Sequence, residues 1–204
     1  MYYKLLSFGD VIELNLTIDS YKLLKEIEHH TWSQYNPRKE NNRLGLSITS
    51  SDGTLNNIDL DSLYEYNKEY NTRYNELSFR TKTQVYYDSE EIQKITKPFD
   101  SSLCRTHLIN VKKNGSFPPH RDWKIIDKQE SFRILVPLQD CNPTNMYFMY
   151  ENKPLYFEHG HAYFINTNKN HSVFSFSDNA IFIVMNIMCS YGSISTVLQN
   201  MKVK

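Results

Sequence analysis

The 204-residue sequence lacks net charge, with 23 Lys and Arg set against 23 Asp and Glu. Without a global field of one sign it has no long-range attraction for nucleic acid or an anionic membrane, and only a local basic groove would serve such partners. Nucleic acid is therefore a disfavoured partner. Cysteine is scarce. Cys104, Cys141 and Cys189 are odd in number, widely spaced and form no CxxC, so no disulfide framework is indicated and reduced thiols in a cytosol account for them. Long apolar runs are missing. No stretch approaches the roughly 18 residues a membrane helix needs, and the first six residues lack the apolar run of a signal peptide. The expectation is a cytoplasmic protein with no membrane partner. No internal repeat or low-complexity linker divides the chain, which reads as one domain over residues 1–204.

What is present is an aromatic-rich, foldable chain: 14% aromatic, with 15 Tyr and 11 Phe, and 40% hydrophobic. The first half alternates strands with helices. Residues 11–16 read as a strand, and Asp19 caps an expected helix over 20–30 that ends at His29 and His30. Histidines in that position normally face solvent or the helix dipole. Residues 43–49 read as a strand. An expected helix over 61–76, capped near Asp59 or Asp61, carries Tyr66, Tyr70 and Tyr74 at a spacing of four, as a packing stripe or as a wall over a substrate mouth. A further helix starts at Ser89, has acids in its first turn and stops at Lys97-Pro98.

From Leu103 the pattern changes to short strands bounded by Gly, Pro, Asn or Asp: 103–112, 132–138, 146–150, 155–157, 162–165, 171–176 and 180–188. Helices leading into a dense run of strands indicate an α+β, mainly β fold, a β-sandwich or jelly roll with helices packed outside. Residues 1–102 form the N-terminal support and 103–190 the core.

The chemistry centres on His120-Arg121-Asp122 and a distant His171. Ligands at i and i+2 of an extended segment point to one side, so His-x-Asp supplies two at once. With His171 from another strand, the set has the form of a 2-His-1-carboxylate facial triad, which suits non-haem Fe(II) and leaves positions open for co-substrate and O2. This is the only His-x-Asp or His-x-Glu in the chain. His159-Gly160-His161 is a rival pair of cupin-like appearance, although Gly160 marks it as a turn, and its use would leave His120 and Asp122 unexplained.

The stretch from Leu103 to Met188 resembles the aspartyl/asparaginyl β-hydroxylase type of 2-oxoglutarate oxygenase. The matching pieces are Arg105-Thr106-His107-Leu108-Ile109-Asn110, Asn114-Gly115, His120-Arg121-Asp122, Phe132 to Leu138, Gly160 to Asn166 and His171-Ser172-Val173. The resemblance implies a double-stranded β-helix with Fe(II) on His120, Asp122 and His171. It further implies that Arg133 binds a carboxylate of 2-oxoglutarate, for which the planar guanidinium fork is suited. The bland alternative for Arg133 is an ion pair with Glu130 or Glu151. The family usually carries a second Arg about ten residues after the distal His, and here that position is Ile181. Arg105 and His107, two apart and on one strand face, are the substitutes, with Asn110 and Asn166 as weaker candidates for polar groups in the pocket.

The implied function is hydroxylation of a C–H bond, with O2 consumed and succinate and CO2 released, on a small-molecule or peptide substrate with an amino-acid-like part, or on a protein. The rivals are a non-enzymatic jelly-roll binding protein and a cupin-type iron dioxygenase that does not use 2-oxoglutarate.

Overall fold

The structure, a computed structural model, describes residues 2–55, 60, 62–122 and 131–202. A short helix α1 (Tyr3–Leu6) leads into strand β1 (Val11–Thr17). Asp19 caps α2 (Ser20–Glu26) by accepting the Lys22 N–H at 2.9 Å. This helix ends before residue 30 because Ile27 has left helical geometry. Strands β2 (Ser33–Gln34), β3 (Arg43–Ser47) and β4 (Thr49–Ser50) follow. The next helix, α3 (Leu63–Tyr70), is shorter than the expected 61–76. Ser62 caps it and Asn71 ends it in the left-handed conformation, at φ 51°. Asp59 and Asp61 lie outside the described residues. Tyr66 and Tyr70 stack at 4.5 Å on this helix, whereas Tyr74 lies beyond its end.

After β5 (Thr81–Lys82) come α4 (Gln84–Asp88), which the sequence pattern does not announce, and α5 (Glu90–Thr96), capped by Ser89. Pro98 does not stop the chain's winding. It enters the first turn of a 3-10 segment, Lys97–Ser102, where its missing N–H leaves no bond unmade. The remaining strands are β6 (Leu103–Val111), β7 (Ser116–His120), β8 (Ser131–Gln139), β9 (Met146–Tyr150), β10 (Lys153–Pro154), β11 (His161–Ile165), β12 (His171–Ser175) and β13 (Ala180–Met188), followed by helix α6 (Tyr191–Gln199). The expected strand over 155–157 does not form, and β9 pairs instead with β10. No helix among the described residues is long and apolar enough to cross a membrane.

From β6 on, strands alternate between two antiparallel sheets, except that β9 and β10 share one, while β4 and β5 pair separately. One has the order β1-β11-β8-β13-β6-β3-β2 and the other β10-β9-β12-β7. The N-terminal half is therefore built into the large sheet through β1, β2 and β3. Side-chain alternation divides the large sheet into two faces. Phe132, Ile134 and Val136 of β8, Leu108 of β6 and Ile183 and Met185 of β13 pack against Leu23 of α2 and Ile92 and Ile95 of α5. Leu135, Ile109, Phe182 and Val184 face the small sheet and meet Phe148 and Val173. With both faces covered, these strands read as continuous apolar runs, and each fully buried side chain adds roughly 1.5–3 kcal/mol. A polar residue on the inner face then stands out.

Gly160 closes the turn into β11 with φ +81°, and a Cβ there would lie 2.4 Å from the Ile18 carbonyl oxygen. Replacing it combines left-handed strain with a backbone clash. Gly160→Ala should lower unfolding free energy by about 1–3 kcal/mol in urea denaturation. An unchanged midpoint would contradict the close packing of this turn on β1.

Candidate metal centre

Strands β7 and β12 pair so that His120 and His171 lie directly opposite each other. Their ring centroids are 4.2 Å apart. Each imidazole is held by the backbone two residues before it. His120 Nδ1 is 2.7 Å from the Pro118 carbonyl oxygen and His171 Nδ1 is 2.9 Å from that of Lys169. A ring nitrogen facing a carbonyl must carry the proton, so the neutral form of each ring keeps its lone pair at Nε2 for a ligand. Such anchoring is the usual second support of a metal-bound histidine. Asp122 follows β7, its N–H donating to the Thr167 carbonyl at 2.9 Å. Its Oδ1 is 3.8 Å from His120 Nε2. One ligand atom from each of His120, Asp122 and His171 falls within 4.8 Å of the others. Two imidazoles with oriented lone pairs and one carboxylate fit a facial Fe(II) site.

The triad borders a cavity of about 460 Å³ between the sheets. Across its floor, on the large sheet, runs a polar row. Arg133 of β8 forms an ion pair with Asp122 Oδ2 at 2.9 Å, and its Nε donates to Asn186 Oδ1 at 3.3 Å. Asn186 of β13 donates in turn to the Arg105 carbonyl on β6 at 2.7 Å. The Arg105 guanidinium meets Glu76 at 3.3 Å. Burial opposes the Arg133 charge, but Asp122 and Glu76 outweigh it and hold the group protonated. Arg133 thus does not pair with Glu151, which contacts Lys169; Glu130 lies outside the described residues. The Arg133 ion pair is with a member of the triad.

His107 also faces the cavity. Its Nε2 is 3.5 Å from the Tyr35 hydroxyl, and its buried Nδ1 has no hydrogen-bond partner among the described residues. At the other side of the cavity Arg43 lies over the Phe117 ring at 4.1 Å and the Tyr35 ring at 5.3 Å.

Several expected residues stand elsewhere. Ile181 packs on the helical side of the large sheet, so an Arg there would miss the cavity. The inward positions of β13 are Phe182, Val184 and Asn186. Asn110 pairs with Ile181 across the strands and does not line the cavity. Asn166 is structural, accepting from the Tyr2 hydroxyl and donating to Asp10. His159 Nε2 accepts the Cys141 N–H, and His161 sits between Glu13 and Glu158, so the His-Gly-His pair is not part of the triad. Tyr66, Tyr70 and Tyr74 do not line the cavity, which is flanked instead by Ser62 and Leu63 at the start of α3. Asn186, Glu76, Arg43 and Tyr35 were not singled out from the sequence. Asn186 was findable, because it interrupts an apolar strand just as Arg133 does.

No family model matches the sequence, and no curated protein matches it. Solved structures do. HygX from Streptomyces hygroscopicus, determined with nickel, 2-oxoglutarate and hygromycin B bound, aligns with a TM-score of 0.51 at 10% identity, over 93% of this chain and 86% of that one. The chain shares the fold of HygX. A prolyl-4-hydroxylase from Pseudomonas putida aligns at a TM-score of 0.49 and 10% identity, covering 91% of this chain and 95% of that one. An oxidoreductase of the 2OG-Fe(II) oxygenase family from Burkholderia pseudomallei gives 0.47 and 12%, covering 92% and 88%.

Burial pushes both His107 and His171 below the ordinary histidine value. At His107 the neighbouring Arg105 and Arg133 add to the effect, and at His171 the Lys169 carbonyl and Asp122 oppose it. The unfolded chain takes up these protons near pH 6.5 and the folded protein resists them. The unfolded state then binds more protons, so stability falls as pH drops through about 6.5, by at most about 1.4 kcal/mol per pH unit for each histidine. Urea unfolding of the metal-free protein between about pH 7.5 and 5 should show this loss, less steeply in His107→Gln. Parallel profiles for the two proteins would show that His107 ionises normally.

Proposed function

We propose that this protein is a non-haem Fe(II) oxygenase that uses 2-oxoglutarate to hydroxylate a C–H bond. The observation that carries the reading is the oriented triad. The imidazoles of His120 and His171 present Nε2 beside Asp122, at the edge of a cavity floored by the buried Arg105 and the half-buried Arg133. The alternation of β6 to β9 and β11 to β13 between two sheets supports a double-stranded β-helix, as does the likeness to HygX, which binds nickel and 2-oxoglutarate. Iron, when bound, supplies O2 activation coupled to oxidation of 2-oxoglutarate to succinate and CO2, with one oxygen atom passing to substrate.

The chain's own residues bind and orient. His120, Asp122 and His171 hold the ion. Arg133 sits beside Asp122 and offers its fork to a carboxylate near the metal, held at the right angle by Asn186. Arg105 and the open Nδ1 of His107 lie further along the same floor and take part in holding the co-substrate. Phe148, Val173, Leu135 and Phe182 contribute apolar walls, whose low polarity strengthens each polar contact beside them. Arg43, Tyr35 and Phe117 line the remaining space, where a substrate with an amino-acid-like part would rest, as the sequence resemblance suggests.

An anaerobic titration with Fe(II) and then 2-oxoglutarate tests this. The visible metal-to-ligand charge-transfer band of the chelate should appear in the wild type. His120→Ala, Asp122→Ala and His171→Ala should each weaken Fe(II) binding by more than about a hundredfold, and Arg133→Ala should abolish the band. Iron binding without the band would point to a dioxygenase independent of 2-oxoglutarate. Failure to bind iron would leave a binding protein as the better account. In the same assay Asn186→Ala should weaken 2-oxoglutarate by about tenfold while leaving Fe(II) affinity nearly unchanged. Equal loss of both would assign Asn186 to the fold alone.

A further inference from the structure

A second group of metal-ligating side chains lies on the helical side of the large sheet, apart from the cavity. His29 and His30 follow the end of α2, and Asp88 is the last residue of α4. The two Nε2 atoms stand 3.2 Å and 3.0 Å from the same carboxylate oxygen, Asp88 Oδ2. The imidazole centroids are 4.1 Å apart. The other Asp88 oxygen accepts from the Gln84 amide at 2.7 Å, which fixes the carboxylate. His30 is 8% exposed and His29 58% exposed, so one ligand is held by packing and the other faces the solvent from which an ion would arrive.

We propose that His29, His30 and Asp88 form a second metal site, selective for a borderline divalent ion of the Zn(II) type. The spacing carries the assignment. A tetrahedral ion with ligand bonds of about 2.0–2.1 Å has ligand–ligand edges of about 3.3 Å. Both nitrogen–oxygen separations already lie close to that edge, and all three ligand atoms fall within 4.8 Å of one another. A neutral nitrogen pair with a single carboxylate suits Zn(II), Ni(II) or Cu(II) over Mg(II) or Ca(II), which take oxygen donors. Solvent supplies the fourth ligand.

A third cluster provides the contrast. Glu13, Glu158 and His161 also converge, but the Lys202 ammonium is 2.6 Å from Glu13 and 3.9 Å from Glu158 and supplies the positive charge there. Among the described residues no Lys or Arg forms an ion pair with Asp88, whose Oδ2 faces the two imidazoles. An ion at this place would tie the segment after α2 to α4 by ligand bonds, bracing the helical layer behind the large sheet. The inference is independent of the proposed oxygenase reaction.

The test removes the cavity triad first. The His120→Ala/His171→Ala protein, stripped of metal, is titrated with Zn(II) by calorimetry and its metal content read after dialysis, with circular dichroism as the check on folding. One equivalent of Zn(II) should be retained. His29→Ala and Asp88→Asn, introduced singly into this background at positions exposed enough to spare the fold, should each weaken it by at least about tenfold. Co(II) in place of Zn(II) should give intense visible bands of tetrahedral type that vanish in both variants. Absence of the equivalent from the triad-less protein overturns the site. So does retention of full affinity in either His29→Ala or Asp88→Asn.

Discussion

The pairing register of β7 with β12 is the constraint on which the site depends. It sets His120 opposite His171, and both imidazoles face the cavity only because that register is kept. A slip of one residue would turn His171 to the outer face and bring Ser172 inward, since side chains alternate strictly along a strand. The burial along β12 shows what fixes the phase. His171, Val173 and Ser175 are buried, whereas Phe174 is exposed. The hydrophobic alternation that packs the sandwich therefore also aims the two imidazoles of the candidate site. The backbone carbonyls of Pro118 and Lys169 then fix the ring tautomers. Asp122 is placed by a third main-chain bond, to Thr167. Main chain thus orients both imidazoles and places Asp122, while the Arg133 guanidinium holds the Asp122 carboxylate.

Much of this was legible in the sequence, and the unreadable parts have physical causes. Strands β6, β8 and β13 announce themselves because both their faces are covered, so a run such as 132–138 has no other reading. Strand β7 is harder. Pro118 and Pro119 cannot donate to a ladder, and such a segment is tolerated because β7 is an edge of the small sheet. Helix α3 looks longer in sequence than in the fold. Its tyrosine spacing continues past Asn71, where the backbone turns left-handed, and periodicity alone does not register that stop. Helices α4 and α6 escaped because they are short and rich in polar or β-branched residues, and tertiary contacts decide such segments.

Ile181 is the instructive case. Counting ten residues from His171 lands on it, but counting does not include strand phase. Its pairing with β8 shifts register between Ile181 and Phe182, and Ile181 points to the helical layer. The missing arginine at that position is no loss to the cavity. Cationic groups enter from neighbouring strands instead, Arg133 from β8 and Arg105 from β6, with Asn186 of β13 between them. The sheet has moved the charge sideways by a strand and kept it on the same floor. Reading strands as faces would have placed Asn186 in the site together with Arg133.

That floor also argues against an ordinary structural role. Buried ion pairs seldom stabilise a fold relative to apolar residues of similar volume, because each charge loses several kcal/mol of hydration. The cavity nonetheless draws on Arg43, Arg105 and Arg133, with Glu76 and Asp122 as the carboxylates that line it. A sheet optimised for stability would carry leucine or valine at these inward positions, as it does at Leu135 and Val184. Asp122 is asked to do two things, to face the imidazoles and to neutralise Arg133. A divalent ion placed among the triad draws the carboxylate's charge toward itself and leaves the guanidinium less compensated. A carboxylate-bearing ligand restores the balance in a place where water does not. Under the proposed function, a metal on the triad and an anion on Arg133 are therefore coupled through the Asp122–Arg133 pair.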